Sequence, residues 1–401
     1  MYIQENKVSQ IQSLQQDVVV KFSYGVHFTR GLFETTNPLL SEVVGAAYNK
    51  AKSIMVAVDS GVLECHPQLI AKITSYANHF ADKIDLVAEP IIIPGGEAAK
   101  NDPSLIDRLH REIERVGLCR HSYVLAIGGG AVVDMVGYAA ATAHRGIRLI
   151  RIPTTVLAQN DSGVGVKNGI NAFGKKNFLG TFAPPFAVLN DFDFLDSLSN
   201  RDWGSGIAEA VKVALIKDRS FFEFISDNAE NLAQRDTKAM EYLIYRCCQL
   251  HLDHIAGYGD PFEMGSSRPL DFGHWAAHKL EHLTNYRLRH GEAVAIGMAL
   301  DCTYSYLAGL LDRADWSQIM TTLKQLGFEL YVPELGNNLT EIEAEASVFC
   351  GLTEFREHLG GELAIMLLQD LGKGLEVNRV SIPIYRQAIL MLQEIGITTG
   401  S

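Results

Sequence analysis

The sequence predicts an α/β N-terminal domain built on a parallel sheet, followed by a mostly helical C-terminal domain. In the first half, short apolar β-type runs alternate with segments of helical periodicity, which is typical of a parallel sheet covered by helices on both faces. From about residue 196 onward, long helical patterns dominate. We therefore place the domains at residues 1–195 and 196–401 and expect a ligand cleft between them.

Each predicted element follows from its apolar pattern and its flanking turn signals. The predicted strands are Val18–Phe22, Ile54–Val58, Ile91–Ile93, Tyr123–Ile127 and Leu149–Ile152. The predicted helices of the first half are Leu39–Lys50, Pro67–Phe80 and Pro103–Val116. Those of the second half are Ile207–Ile216, Ala239–His254, Trp275–Leu283, Gly291–Leu310 and Trp316–Leu326.

Composition restricts the functional class. The chain of 401 residues is 47% apolar and 20% charged, which is ordinary globular composition. Its 35 basic and 47 acidic residues give a net charge of −12, so nucleic acid is not expected as a partner. The six cysteines are scattered without a CxxC motif, and there is neither a signal peptide nor an apolar run that would span a membrane. These features predict a soluble cytoplasmic enzyme.

A glycine triplet joins the predicted strand Tyr123–Ile127 to the start of a helix. Glycines at 128–130 let the backbone approach a phosphate, and a helix N-terminus supplies free N–H groups, as in a Rossmann-like domain. Val133 occupies the third-glycine position of the GxGxxG pattern, and no acidic residue follows at the usual distance. A plain strand-to-helix turn therefore explains this motif equally well. Asp59, at the end of an earlier strand, is a separate candidate for the hydroxyls of a ribose.

Histidines cluster in the second half, where six of the 13 fall between residues 251 and 290. His274 and His278 are four residues apart on one predicted helix and share a face, and His290 begins the next helix. Glu209 is a candidate third ligand, and Lys212 lies one turn after it. Two histidines and a glutamate would leave coordination positions open, which is typical of a catalytic metal site. The alternative is an ordinary ion pair on a helix surface.

Two polar segments lie between these regions, residues 159–167 and 174–177. They combine glycine with lysine and asparagine, which suits binding of a phosphate by backbone and ammonium groups. A solvated loop is the competing interpretation of the same residues.

In this order, the motifs between about residues 54 and 365 resemble those of the sugar phosphate cyclases, whose best-known member is 3-dehydroquinate synthase. The motifs are Pro94-Gly-Gly-Glu97-Ala-Ala-Lys100, Gly128-Gly-Gly-Ala-Val-Val-Asp134, His144-Arg145-Gly146, Pro153-Thr154-Thr155, Asp161 with Lys167, Gly174-Lys-Lys-Asn177, Glu209-Ala-Val-Lys212, Phe272-Gly-His274 and His290-Gly-Glu. Each motif is weak alone, whereas the ordered set is specific.

The resemblance implies a homodimeric enzyme with a dehydroquinate synthase-like fold, NAD in the first domain and a catalytic Zn²⁺ (or Co²⁺). By motif matching, the metal ligands are Glu209, His274 and His290. The residues matched to NAD are Asp59, Glu97, Lys100, Gly129, Gly130, Asp134, Thr154, Thr155 and Lys176. Those matched to a sugar phosphate substrate are Asp161, Lys167, Asn177, Lys212 and His278, with Arg145 reaching the phosphate from the neighbouring subunit.

The resemblance also implies a reaction in which NAD is used and restored within one turnover. NAD oxidises a substrate hydroxyl to a ketone, which acidifies a neighbouring C–H bond. Phosphate then leaves by β-elimination, the hydride returns, and an intramolecular aldol step closes a six-membered carbocycle. His278 is expected to relay a proton in this sequence.

Departures from the 3-dehydroquinate synthase pattern indicate a different substrate. Asp271 replaces an Asn; Ser267, with Arg268 one place off, replaces an Arg; and an ungapped alignment puts Asp253 at a Lys position. Those cations would hold a substrate carboxylate, so a neutral hydroxymethyl end, as in sedoheptulose 7-phosphate, is the better fit.

Two further positions bear on the choice of branch. Asp271 together with His278 resembles the 2-epi-valiolone synthases, whereas the 2-epi-5-epi-valiolone branch has Pro at the histidine position. Arg356 lies where the family has a Lys-Lys motif and is a candidate phosphate contact.

Three other functions stay open at this point: 3-dehydroquinate synthase, a metal-dependent polyol dehydrogenase that shares the glycine turn, and a non-catalytic binding protein. The loop with Lys167 and Asn177 argues against the dehydrogenase. Retention of the three expected metal ligands together with Lys212 and His278 argues against a binding protein.

Overall fold

The N-terminal half of the chain is organised around a parallel sheet. The computed structural model describes residues 13–45, 50–173, 175–257, 262, 269–358 and 361–397. The strands of the described residues are β1 (Gly25–Thr29), β2 (Lys52–Asp59), β3 (Ile84–Leu86), β4 (Ile91–Ile93), β5 (Tyr123–Gly128), β6 (Arg148–Pro153), β7 (Lys167–Ala172), β8 (Lys175–Phe182), β9 (Ala187–Asp191), β10 (Ile365–Asp370) and β11 (Lys373–Val377).

Seven of these strands form one sheet in the order β1-β9-β6-β5-β2-β3, with β4 also pairing with β2. All pairs within this sheet are parallel. Alternate residues of β5 face opposite sides: Val124 and Ala126 pack into one apolar cluster, and Tyr123 and Leu125 pack into another. The sheet is therefore buried on both faces, as the continuous apolar strands predicted.

Helices cover both faces of this sheet. In the first half they are α1 (Leu39–Gly45), α2 (Ser60–Cys65), α3 (Leu69–His79), α4 (Ala98–Asn101), α5 (Pro103–Arg115) and α6 (Gly130–Thr142). α5 and α6 contribute to the cluster of Val124, whereas α1 and α3 contribute to the cluster of Tyr123. α5 begins with the Asp102 side chain accepting a hydrogen bond from the Ser104 N–H, with Pro103 at its first position.

The second half is mostly helical, with its own large apolar core. Its helices are α7 (Asn200–Lys217), α8 (Arg219–Asp227), α9 (Ala229–Ala233), α10 (Thr237–Gly257), α11 (His274–Leu283), α12 (His290–Leu307), α13 (Arg313–Gln325), α14 (Cys350–His358) and α15 (Ile382–Ile397). β10 and β11 pair as an antiparallel hairpin. Among the described residues, none of the helices combines the length and the apolar character needed to cross a membrane.

This architecture confirms the predicted fold class. The strands predicted near β2, β4, β5 and β6 are present, and the boundary at residues 195 and 196 stays a prediction. The helix predicted over Leu39–Lys50 is observed to Gly45, and residues 46–49 lie outside the described part of the chain.

The prediction of a strand over Val18–Phe22 is wrong. These residues form neither a strand nor a helix, and the side chains of Val18, Val19, Val20 and Phe22 are exposed. Among the described residues, the first strand is instead β1, which pairs in parallel with β9 at the edge of the sheet. β-Propensity alone does not make a strand when the segment has no neighbouring strand to pair with.

Candidate active site

The carboxyl ends of four neighbouring strands lie together at one edge of the parallel sheet. Asp59, the last residue of β2, is in register with Ile93 of β4, and Gly128 of β5 is in register with Pro153 of β6. In open α/β sheets, the loops that follow such strand ends form the usual ligand crevice. Most of the residues matched to NAD lie in these loops.

Asp59 is packed tightly between the glycine turns at this edge. Its Oδ1 accepts a hydrogen bond from the Gly61 N–H at 2.9 Å. A Cβ built on Gly95 would lie only 2.3 Å from that same oxygen, so only glycine fits there without movement. Burial raises the pKa of Asp59, against the hydrogen bonds that Gly61 and Gly129 donate to it. The backbone and this carboxylate therefore make a narrow polar cradle.

The next part of the cradle is the N-terminus of α6, which begins at Gly130 directly after the glycine turn. The Thr154 N–H donates to the Gly128 carbonyl at 3.0 Å, and the Thr155 hydroxyl accepts from the Ala158 N–H at 3.2 Å. These bonds hold β6 and its following turn against the glycine loop. The free N–H groups of the first turn of α6 suit an anion such as a diphosphate.

A second group of polar side chains lies beside α6. Lys100 is buried, with its Nζ 2.9 Å from Asp134 Oδ2, and it also donates to Asn177 Oδ1. Burial raises the pKa of Asp134, and the charge of Lys100 opposes that rise. Glu97 accepts a hydrogen bond from the Asn171 side chain at 2.7 Å. Asn177, matched to substrate by sequence, thus contacts a residue matched to NAD.

The three residues expected to bind metal come together where α7, α11 and α12 meet. Two close approaches of backbone make this possible. A Cβ on Gly291 would lie 2.2 Å from the Ser205 carbonyl oxygen, so glycine lets the start of α12 touch α7. Gly273 has φ +76° and lies directly before His274, and a Cβ on Gly297 would lie 2.1 Å from its carbonyl oxygen. Bulkier residues at these points would hold the helices apart.

The three side chains converge on one point. Glu209 Oε1 lies 3.3 Å from His290 Nε2 and 3.7 Å from His274 Nε2. The three ligand atoms lie within 4.8 Å of one another. His274 Nδ1 lies 3.0 Å from the Phe272 carbonyl oxygen and His290 Nδ1 lies 3.3 Å from Glu281 Oε2. These acceptors favour a proton on Nδ1 in both rings, so that each Nε2, once unprotonated, can bind a metal ion at the shared point.

The donor set fits a divalent metal ion. Glu209 is fully buried, and although Lys212 pairs with its Oε2, its Oε1 faces the two imidazoles and accepts no hydrogen bond of ordinary geometry from the described residues. Buried carboxylates are normally satisfied by such bonds or by a cation. Two imidazole nitrogens and one carboxylate oxygen are also the ligands of many catalytic zinc sites. The cluster can therefore hold a metal while leaving positions open for a substrate.

Burial and neighbouring charges shift the pKa values of several groups in this cluster. Burial alone would lower the pKa of Lys212, but the carboxylates of Glu209, Asp161 and Asp271 raise it above its usual value. Lys212 forms an ion pair with Glu209 Oε2 one turn earlier in α7. Burial lowers the pKa of His290, but Glu209 and Glu281 more than offset this and raise it to about 9. Because its own pKa is raised, Lys212 remains a buried ammonium at neutral pH.

Glu281 was not singled out by sequence analysis, yet it links two parts of the site. One oxygen lies 3.3 Å from His290 Nδ1, and the other lies 3.0 Å from Lys176 Nζ of β8. Burial raises the pKa of Glu281, but His290 and Lys176 lower it to about 2. Lys176, matched to NAD by sequence, thus contacts the carboxylate behind the metal cluster.

His278 and Asp271 flank the metal cluster. The His278 ring stacks against His290 with centroids 5.9 Å apart, and its side chain stays accessible. Although this side chain is exposed, the surrounding protein excludes part of its water, and this together with the neighbouring rings of His274 and His290 lowers the pKa of His278 below its usual value. At neutral pH His278 is therefore an uncharged base. Asp271 lies within electrostatic reach of both Lys212 and His278.

Asp161 and Lys167 border the same region from the first half of the chain. Asp161 lies in a short π-helical turn, residues 158–162, and neighbours Lys212 and His251. Burial raises its pKa, but these two neighbours lower it to about 2. Lys167 begins β7 with an exposed side chain, and its carbonyl oxygen accepts from Arg151 at 2.7 Å.

The expectation that Asp253 faces the substrate is wrong. Asp253 lies on α10 with an exposed side chain, whereas His251, two residues earlier, reaches Asp161. Residues two apart on a helix point in directions about 200° apart, so both cannot face the site. Ser267 and Arg268 lie outside the described residues. Arg356 is exposed on α14.

Arg145 lies away from both groups in its own chain. It follows the C-terminal end of α6 in a turn where His144, Arg145 and Gly146 all have positive φ. The glycine turn is at the other end of that helix. Arg145 is exposed on the surface near Cys119 and Arg120.

Three further polar residues near the site, all largely buried, were not predicted from the sequence. Arg151 donates to the carbonyls of Gly163, Gly165 and Lys167, and thus holds the loop after Asp161. Asp301 accepts from Trp275, Tyr385 and the Gly273 N–H, and thus supports the start of α11. The third is His251, whose Nδ1 lies 2.8 Å from Asp161 Oδ1. The signal for Arg151 and Asp301 was a charge inside an apolar run.

Taken together, the fold and site define a two-domain α/β and helical protein with a nucleotide-type cradle beside a cluster suited to a divalent metal. Comparison with family models extends this result: residues 90–205 match the N-terminal 3-dehydroquinate synthase model, and residues 206–345 match the C-terminal one. The 3-dehydroquinate synthase of Alkaliphilus metalliredigens (strain QYMF) is 32% identical over 356 residues, covering 88% of this chain and 92% of that protein. The chain belongs to the 3-dehydroquinate synthase family, and so to the sugar phosphate cyclases, which confirms the resemblance found in the sequence.

Other similar proteins agree with this assignment. The 3-dehydroquinate synthase of Geobacter sp. (strain M21) is 40% identical over 245 residues, or 61% of this chain and 67% of that protein. The structure of 2-epi-5-epi-valiolone synthase from Streptomyces hygroscopicus subsp. jinggangensis 5008, with NAD⁺ and Zn²⁺ bound, superposes with a TM-score of 0.83 at 26% identity, over 95% of this chain and 100% of that one. A 2-deoxy-scyllo-inosose synthase complexed with carbaglucose-6-phosphate, NAD⁺ and Co²⁺ shares the fold, with a TM-score of 0.71 at 24% identity over 91% of this chain and 95% of that one.

Proposed function

We propose that the protein is an NAD- and divalent-metal-dependent cyclase that converts sedoheptulose 7-phosphate into a C7 cyclitol of the 2-epi-valiolone type. It would act as a carbon–oxygen lyase that eliminates phosphate and closes a carbocycle by an intramolecular aldol step. The valiolone synthase of similar structure binds NAD⁺ and Zn²⁺. Glu209, His274 and His290 would hold the metal, and the cradle of Asp59, the glycine turn and Thr154 would hold NAD.

The observation that carries the choice of substrate is the charge around Lys212. Three carboxylates, from Glu209, Asp161 and Asp271, lie close enough to raise the pKa of this one ammonium. A substrate carboxylate placed near Asp271 would be repelled, and an incompletely paired buried charge costs several kcal/mol (about 3–5). A neutral hydroxymethyl group accepts and donates hydrogen bonds there without that cost. The chemistry therefore favours sedoheptulose 7-phosphate over a carboxylated heptulose phosphate.

When bound, the metal would polarise substrate oxygens and NAD would take up and return a hydride. The chain's own groups divide the remaining tasks. Lys212 stays charged and stabilises negative charge on the substrate and on the departing phosphate. His278 is uncharged near neutral pH and is placed to accept a proton. Asp161 stays ionised and accepts a hydrogen bond from a substrate hydroxyl, while Lys167 and Asn177 are proposed to contact the substrate from β7 and β8.

The proposal includes a homodimer in which Arg145 binds the phosphate of the neighbouring subunit. α6 has 13 residues between the glycine turn and the turn of Arg145. At a rise of 1.5 Å per residue, this separates the two ends by about 18 Å. Arg145 therefore lies far from the glycine turn of its own chain, and the role we propose for it is contact with a phosphate bound by the neighbouring subunit.

The test is phosphate release by the purified protein with NAD and Zn²⁺ or Co²⁺. One assay contains sedoheptulose 7-phosphate, and the other contains the carboxylated heptulose phosphate used by 3-dehydroquinate synthases. We expect release from sedoheptulose 7-phosphate, with the cyclitol identified by NMR. Asp271→Asn is the matched variant, which should shift the ratio of the two rates toward the carboxylated substrate. Release from the carboxylated substrate alone by the wild type would refute the proposal.

The second candidate function is that of 3-dehydroquinate synthase itself. It is favoured by the curated relatives of that name, one of them 32% identical across 88% of this chain. A polyol dehydrogenase is a more remote candidate, since a probable glycerol dehydrogenase from Sinorhizobium meliloti 1021 has the same fold at 16% identity and a TM-score of 0.59. Accumulation of NADH without phosphate release would favour that activity.

A further inference from the structure

One histidine near the site has no role in the proposed reaction as described above. His251 lies on α10, one helical turn after buried Cys247, and its Nδ1 is 2.8 Å from Asp161 Oδ1. The two side chains are 13% and 19% exposed. A histidine in a largely buried position is held there by a polar neighbour, and here that neighbour is a carboxylate of the site.

The backbone on the other side confines the same ring. A Cβ on Gly165 would lie 3.3 Å from His251 Nε2, which is tighter than an ordinary contact. Gly165 belongs to the loop whose carbonyls bind Arg151, so this loop is itself fixed. The imidazole therefore lies between a rigid loop and Asp161, and has little freedom to turn away.

Asp161 lies in an irregular stretch of backbone, where a side-chain partner helps to fix its direction. It lies in a π-helical turn, where side-chain directions differ from those of a regular α-helix. Lys212, a cationic neighbour of Asp161, is already paired with Glu209 Oε2. Lys212 and His251 are the neighbours that chiefly lower the pKa of Asp161 against the effect of burial. His251 is therefore the neighbour able to fix the rotamer of Asp161.

We propose that His251 is a positioning residue: its imidazole, with Nδ1 2.8 Å from Oδ1 of Asp161, holds this carboxylate so that Oδ2 is directed to a substrate hydroxyl beside Lys212. This inference rests on the proposed function in one respect, namely that Asp161 contacts the substrate. It does not depend on which heptulose phosphate is bound. Misplacement of a substrate-binding group by about 1 Å can lower a rate by about a hundredfold.

The test is a double-mutant cycle of His251→Leu and Asp161→Asn, measured with whichever of the two heptulose phosphates the wild type converts. We expect His251→Leu to lower kcat about 10- to 100-fold, with Zn²⁺ and NAD affinities within about twofold of the wild type. The double variant should be no slower than Asp161→Asn alone, because the histidine acts only through that carboxylate. His251→Asn should recover most of the lost rate, since its amide N–H lies near the position of Nδ1.

Controls separate this role from a purely structural one. His282→Leu removes an exposed histidine of α11 and should leave kcat unchanged. If His251→Leu does not fold, the cycle is run with His251→Asn and His251→Gln, of which only Asn should approach the wild-type rate. Additive losses in the cycle, equal rates for Asn and Gln, or an unchanged kcat would overturn the inference. Failure of the wild type on sedoheptulose 7-phosphate alone would refute only the substrate; failure on both substrates would refute the role of Asp161 and this inference with it.

Discussion

The two halves of the candidate site are built on different principles. At the sheet edge, backbone N–H groups, glycines and a few side chains form a cradle from consecutive strand-to-loop turns. Between α7, α11 and α12, charged side chains distant in the sequence are buried together, and Glu209 is fully enclosed. A backbone cradle costs little to maintain without its ligand, whereas a buried cluster of Glu209, Lys212 and histidines depends on exact pairing. The two halves should therefore respond differently to substitution.

The largest expected effect is at the metal cluster. His274→Ala should lower phosphate release by at least about a thousandfold and abolish binding of one Zn²⁺ per chain, because two ligands do not hold the ion in place. The fold should persist, since His274 lies at the start of a helix and not within the apolar core. Metal analysis and circular dichroism check both points, with His282→Ala as the matched control. An unfolded His274→Ala variant would mean that the metal is structural.

A smaller effect is expected at Glu281, which contacts the expected metal ligand His290. Glu281→Gln keeps the shape of the side chain but removes the carboxylate that orients His290 and pairs with Lys176. We expect Zn²⁺ affinity to fall about 10- to 100-fold, the usual consequence of losing such an outer hydrogen-bond acceptor. Competition with a chromogenic chelator measures it, and His282→Gln serves as control. Unchanged affinity would show that Glu281 does not orient His290.

A substitution at the sheet edge should weaken the binding of NAD and leave the binding of Zn²⁺ unchanged. Gly95→Ala would place a methyl group 2.3 Å from Asp59 Oδ1 and push that carboxylate out of the cradle. We expect the Kd for NAD to rise about tenfold, equal to about 1.4 kcal/mol, with Zn²⁺ affinity unchanged. Gly204→Ala, where a Cβ meets nothing within 4 Å, is the control. Equal losses of NAD and metal binding would contradict the separation of the two halves.

The last prediction concerns stability instead of ligand binding, at the buried Asp301 behind α11. Burial raises its pKa to about 7, against the hydrogen bonds from Trp275, Tyr385 and Gly273. The ordinary pKa of an aspartate is about 3.9. Between about pH 3.9 and pH 7 the native state therefore binds one more proton than the unfolded chain. Its contribution to the free energy of unfolding is therefore present at low pH and is lost as pH rises to about 7, by up to about 1.4 kcal/mol per pH unit.

Urea unfolding of the wild type and of Asp301→Asn, at several pH values in that range, isolates this contribution. As pH rises, the unfolding free energy of the wild type should fall relative to that of Asp301→Asn. Parallel pH dependences would mean that Asp301 does not titrate in this range.

The contrast between the two halves also explains what could be predicted from sequence. The glycine turn, Asp59 and Thr154 come from short continuous motifs, so their grouping follows from the strand order. Glu209, His274 and His290 were candidates from the histidine cluster and the spacing of Glu209 and Lys212, but the family resemblance was needed to select this set, because their meeting depends on backbone contacts at Gly291 and Gly273.

The direction in which a side chain points from its helix or strand was harder to predict. The ungapped alignment selected Asp253, whereas His251 is the residue of α10 that reaches the site. An alignment without gaps does not show which face of α10 is buried. Lys176 and Asn177 are adjacent in β8 and so point to opposite sides, one to Glu281 and the other to Lys100. Val18–Phe22 has strand propensity but no neighbour to pair with.

The most direct test of the central claim is X-ray absorption at the zinc edge of the metal-loaded protein. Binding by Glu209, His274 and His290 predicts two imidazole ligands and otherwise oxygen neighbours, at about 2.0–2.2 Å. His274→Ala should remove one imidazole contribution from any zinc that remains. Sulfur neighbours at about 2.3 Å, or a spectrum unaffected by the His274 substitution, would contradict the assignment of this site.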